Sequence, residues 1–177
     1  TVSEVTALSE ADIIFRLGLE HLEPWWRTEW EDALVVELVH ESMLKEDPLL
    51  EEHEHVHTSS LPMQNESDHH NPHVWMDPNN VINFTKQINS TMCAEEPSYA
   101  SWFSGNASVY VSMLQDLLTQ IDLAENTFNG THLAVYHPAF MYFFDLLGIE
   151  RVAAIEEGEG GEPSASHIQH VIEEMNE

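Results

Sequence analysis

Residues 97–130 read PSYASWFSGNASVYVSMLQDLLTQIDLAENTFNG. Tyr99, Phe103, Ala107, Tyr110, Leu114, Leu117, Ile121, Ala124 and Phe128 recur in alternating steps of three and four, the spacing of one helix face. Pro97 suits a helix start and Asn129-Gly130 a stop. The stretch therefore predicts one helix, roughly 45 Å long at 1.5 Å per residue. Gly105 is its only interior glycine, so it reads as a stiff strut. A helix of that length divides the chain into residues 1–96, the linking helix 97–129, and residues 130–177.

The flanks share one grammar. Upstream, Val2, Val5 and Leu8 repeat at helical spacing, and the apolar run Ala11 to Leu17 reads as a buried strand closed by Gly18. Leu19 to Leu34 reads as a helix interrupted at Pro24, with Trp25, Trp26 and Trp30 supplying bulk, and Leu34 to His40 as a second strand. Strand, helix, strand predicts a parallel sheet with crossover helices. Asp77-Pro78 reads as an N-cap and first helical position, followed by Val81, Phe84, Ile88 and Met92 on one face. Downstream, Leu133 to Tyr136 and Val152 to Ile155 read as strands. Phe140 to Leu147 reads as a helix ended by Gly148, and Ser164 as the cap of a last helix bearing Ile168, Val171, Ile172 and Met175. The fold class expected is α/β: two lobes with parallel sheets flanked by helices, joined by the long helix.

Residues 41–72 break this grammar. They lack periodicity and hold the run Glu51, Glu52, His53, Glu54, His55 and His57, then Asp68, His69 and His70. A structureless stretch of that length inside a domain is usually functional or disordered. Neutral imidazole is the commonest protein ligand for zinc and also suits copper, nickel and iron. His53, His55, His57, His69 and His70 are therefore auxiliary metal-collecting candidates, against the plainer reading of a solvated polar loop. His73 and His137 differ, because each stands where irregular chain meets an ordered element. His137 ends a predicted strand, the place where ligands collect in open α/β sheets.

The charge narrows the function classes. Five Lys+Arg stand against 32 Asp+Glu, a formal net charge of −27. Such a surface repels phosphate backbones, which argues against nucleic acid as a partner. It fits a cation-handling surface and a salt-adapted protein equally well. The single cysteine, Cys93, precludes an intrachain disulfide and reads as a part-buried thiol. No apolar run approaches the roughly 20 residues that cross a bilayer. Five Asn-x-Ser/Thr acceptors, at Asn65, Asn83, Asn89, Asn106 and Asn129, are compatible with a glycosylated cell surface.

The segment His73-Val74-Trp75-Met76-Asp77-Pro78 resembles the His-Val-Trp-Leu-Asp-Pro signature of the zinc/manganese substrate-binding proteins of ABC importers, the cluster A-I group. His137-Pro138-Ala139-Phe140 with Tyr142-Phe143 and Leu147-Gly148 resembles that family's second signature. Ala11 to Phe15 with Gly18-Leu19 and Leu22-Glu23, Glu162-Pro163-Ser164, and Pro97, Tyr99, Asn106 and Tyr110 resemble further family segments, in order. The resemblance implies an extracytoplasmic protein of periplasm or cell surface that delivers a metal ion, zinc or alternatively manganese, to an importer membrane subunit. It implies metal held between the lobes, with His73 and His137 as ligands. It also places the family's first histidine before Thr1 and its last ligand beyond Glu177, and a signal or lipid anchor upstream. Near-absence of Lys departs from the family pattern.

Three other readings compete. A metal-assisted hydrolase needs a water-bearing metal and a placed acid or base. The chain holds neither a His-Glu-x-x-His motif nor a serine elbow, and His167 and His170 read as surface residues. The expectation is therefore no enzyme. A His-rich metal buffer would lose nearly all its metal with residues 53–70, whereas a transport protein would keep a tight site. A metal-dependent surface adhesin is not distinguished from an importer component by these residues.

Overall fold

The structure, a computed structural model, describes residues 2–19, 22–27, 30, 32–51, 70–156 and 162–176. The fold is α/β, with small parallel sheets flanked by helices. In chain order the elements are α1 (Val2–Ser9), β1 (Ile13–Arg16), β2 (Leu34–Glu37), α2 (Pro48–Glu51), α3 (Pro78–Glu95), α4 (Ala100–Phe128), β3 (His132–Val135), α5 (Met141–Leu146), β4 (Glu150–Ala154) and α6 (Ala165–Glu174). β1 pairs in parallel with β2, Ile13 opposite Leu34, and β3 with β4, His132 opposite Glu150.

The caps form as the sequence dictates. The Asp77 carboxylate accepts from Asn79 N at 2.8 Å and starts α3 at Pro78. Ser164 Oγ accepts from His167 N and starts α6. Gly148 adopts φ +64, and a Cβ there would lie 2.6 Å from Asn129 Oδ1. Only glycine fits that turn into β4.

The linking helix runs 29 residues, about 43 Å, and packs chiefly on α3. Its protein-facing line passes through Phe103, Ala107, Val111, Leu114, Leu118, Ile121 and Ala124. The sequence stripe drifts off this line. Tyr99, Tyr110, Leu117 and Phe128 are exposed, and Val111 and Leu118 take the inward positions. A strict repeat of three and four follows 3.5 residues per turn, and a straight helix turns at 3.6.

A second expectation fails between β1 and β2. The described residues there form turns rather than the predicted α-helix. The Glu23 carboxylate, 8% exposed, turns back to accept from Leu17 N, Gly18 N and Arg16 Nε at 2.9–3.0 Å. Trp26 covers the Arg16 guanidinium at 4.5 Å. This buried carboxylate satisfies the amides that follow β1, and Pro24 removes the next helical donor.

The core crosses the chain's midpoint. Leu38, Val74 and Phe84 pack with Met141 and Tyr142, which come after α4. Leu49 packs with Val135 and Ala154 in a second cluster. The Leu, Val, Phe and Met side chains among them each contribute roughly 1.5–3 kcal/mol on full burial. His167 is half-buried and bonds Ala154 O at 2.8 Å, so it ties α6 to β4 rather than standing free on the surface.

Candidate metal centre

The two junction histidines meet. His73 precedes a 3-10 turn, Val74–Met76, that feeds α3. His137 follows β3, where the ladder continues past the strand ends: Ile155 N donates to Val135 O at 2.7 Å and Glu156 N to Tyr136 O at 2.8 Å. The rings stand nearly perpendicular, 5.0 Å between centroids, with Nε2 of one 3.3 Å from Nε2 of the other. Trp75 lies edge-on to His73 at 5.3 Å.

Each ring is held from behind. Asn71 Oδ1 accepts from His73 N at 3.0 Å and lies 2.9 Å from His73 Nδ1. The Asn71 amide cannot be turned over, because its Nδ2 faces two acceptors, Asp47 Oδ2 at 2.7 Å and Pro138 O at 2.8 Å. An oxygen acceptor opposite Nδ1 puts the His73 proton on Nδ1 and leaves Nε2 as the lone-pair nitrogen. The Glu156 carboxylate contacts Nδ1 of His137 and imposes the same tautomer. The two Nε2 atoms face each other across 3.3 Å, close enough to share one proton or to take one cation between them. Two ligands of a tetrahedral zinc with Zn–N bonds of 2.0–2.1 Å stand about 3.3–3.4 Å apart. The His137 side chain is 39% exposed and that of Glu156 11%, so the pair opens to solvent on one side.

Behind Asn71 lies a buried ion pair. Asp47, fully buried, takes both Arg151 amino nitrogens at 3.0–3.2 Å. Tyr142 Oη donates to Asn71 O at 2.7 Å and accepts from Lys45 N at 3.0 Å. Lys45 Nζ reaches Asp145 at 2.8 Å. Burial raises the Tyr142 phenol above its ordinary value of 10.0.

Among the predicted auxiliary residues, His53, His55, His57 and His69 lie outside the described residues. His70 sits in an antiparallel bridge with Glu46, and its buried Nδ1 has no hydrogen-bond partner. Among the described residues, no group of three or more His, Cys, Asp and Glu is arranged to hold a metal. Sequence reasoning missed Asp47, Asn71, Arg151 and Glu156. Local signals pointed to two of the four: Asn71 opens the Asn-Pro-His triplet, and Glu156 follows directly on the last predicted strand.

The family model for the periplasmic zinc-uptake complex component A, ZnuA, matches residues 1–177. The chain belongs to the ZnuA family. It is 28% identical over 181 residues to the manganese-binding lipoprotein MntA of Halalkalibacterium halodurans, covering 98% of this chain and 55% of that one. It is 27% identical over 106 residues to the high-affinity zinc uptake system protein ZnuA of Paracoccus denitrificans, covering 60% of this chain and 32% of that one. A crystal structure of ZnuA superposes with TM-score 0.71 at 20% identity, over 98% of this chain and 61% of that one. The chain thus spans about half the length of the first curated relative, and its fold is part of the ZnuA-like two-lobe binding fold. Membership in a periplasmic family places the chain outside the cytoplasm. Among the described residues no helix is long and apolar enough to cross a membrane.

Proposed function

We propose that this chain carries two ligands, His73 and His137, of the cargo site of a zinc-delivering binding protein that serves an ABC importer. The carrying observation is the pair of imidazoles whose Nε2 atoms face each other 3.3 Å apart. That spacing suits tetrahedral zinc, and two imidazole donors suit zinc, while a carboxylate among the remaining ligands would shift preference toward manganese. The relatives support the class, since one is named for zinc uptake and one for manganese binding. The protein binds and releases its ion without chemistry, so it is not an enzyme.

The test is isothermal calorimetry on the complete protein. His73→Ala and His137→Ala each weaken zinc binding by on the order of tenfold or more, as ligand loss does where the surrounding groups fix the site. Unchanged affinity in both variants overturns the assignment. Tighter binding of Mn²⁺ than of Zn²⁺ by the unaltered protein would reassign the cargo while leaving the ligands in place.

A further inference from the structure

The groups behind the two imidazoles converge on one strand. Glu156, which holds His137, sits two residues past the end of β4 and stays in the ladder through Glu156 N and Tyr136 O. Asn71, which holds His73, is itself held by Asp47, and Asp47 is clamped by Arg151 of β4. Asn71 also bonds the carbonyl of Pro138, next to His137. Asn71 and Asp47 are each fully buried, so no water competes for these bonds and the geometry has one solution.

From this convergence we infer that Asn71 is a positioning residue for His73. The Arg151–Asp47–Asn71 relay turns the docking of β4 against residues 44–51 into the aim of the His73 donor nitrogen. Glu156 does the same for His137 directly. The inference rests on the reading of His73 and His137 as ligands and adds the residues that hold their tautomers. Neutral imidazole left to itself prefers the proton on Nε2, the nitrogen that must ligate here. Without its acceptor, His73 has to surrender that preference each time an ion binds. An orienting acceptor removes that step, and loss of such a partner typically costs about 10–100-fold in metal affinity.

The experiment reads tautomers first and affinity second, on the complete protein. Long-range proton–nitrogen correlation spectra of the metal-free protein at pH 8 place the proton on Nδ1 for both His73 and His137. In Asn71→Ala, His73 shifts its proton to Nε2, His137 stays on Nδ1, and zinc affinity by calorimetry falls about tenfold. In Glu156→Ala the pattern reverses, with His137 shifting and His73 unmoved. In Glu156→Gln, whose amide oxygen can still accept, His137 keeps its proton on Nδ1. If Asn71→Ala does not fold, Asn71→Ser, whose hydroxyl can still donate to a buried acceptor, reads the same loss of the oxygen opposite Nδ1 and loosens the His73 tautomer alone. An Nε2–H signal for His73 in the unaltered protein overturns the inference, and so does an Asn71→Ala protein with unchanged tautomer and affinity. Because the tautomer is read without metal, a failure here leaves the ligand assignment standing. A failure of His73→Ala to weaken zinc binding removes that assignment independently.

Discussion

Two regions connect the halves of this molecule, and they do so in opposite ways. Helix α4 covers about 43 Å in 29 residues, yet only Leu114 and Ile121 on it are buried, and Trp102, Val109, Met113 and Leu123 are 62–72% exposed. Residues 44–51 hold one turn of helix and almost no periodicity, yet they place Asp47 against Arg151, Lys45 against Asp145, and Leu49 in the second core cluster. The regular element spans; the irregular one fastens. Regularity in sequence reports local hydrogen bonding, whereas mechanical coupling depends on where buried partners sit.

The comparison breaks most visibly at the ion pair. Arg151→Met leaves Asp47 buried without its counter-charge and should destabilise the protein by about 3–5 kcal/mol, read as a lower urea midpoint. A loss under about 1 kcal/mol would move the fastening back to α4. Tyr142→Phe removes the hydroxyl between Asn71 O and Lys45 N and should cost about 1–2 kcal/mol. The same hydroxyl gives a pH signature. Burial raises the Tyr142 pKa above 10.0, so the folded form holds this proton more tightly than the unfolded chain. That contribution is complete below about pH 10 and is lost as pH rises through the folded value. Absorbance titration of the four tyrosines should show Tyr142 ionising last, and the alkaline fall in stability should be shallower in Tyr142→Phe. On the linking helix, Leu123→Ala should change stability by no more than about 0.5 kcal/mol. The smallest effect belongs to the histidine run. Replacing residues 53–69 by a short Gly/Ser linker preserves the Glu46–His70 bridge. It should remove weak zinc equivalents and leave the tight affinity within about twofold by calorimetry, since none of His73, Asn71, Asp47, His137 and Glu156 falls in the replaced stretch. Loss of the tight site would mark the run as the main binding element.

What could be read from the sequence follows the range of the interaction. Asp77-Pro78, Ser164 and Gly148 act on neighbours within a few residues, and their caps and turns formed where the residues indicated. The His73 and His137 junctions were legible because each histidine abuts a Pro and an element boundary. The irregular look of residues 41–51 concealed Asp47, whose partner Arg151 lies 104 positions away. No window of local pattern spans that distance. The stretch from Leu19 to Leu34 misled for the converse reason. It read as a helix, but the buried contacts of Glu23 with Arg16 and two backbone amides outweighed a helix propensity worth only tenths of a kcal/mol per residue.

Hanging both imidazoles from β4 has a consequence for noise. When the two halves rock against each other, donors mounted on separate bodies would jitter independently, and their spacing would blur. Donors that share a mount move in concert, so the disturbance is common to both and cancels in the difference. A shared mount therefore sets the 3.3 Å gap through one strand rather than through the angle between the halves, much as a gauge block sets a length independently of the machine that carries it.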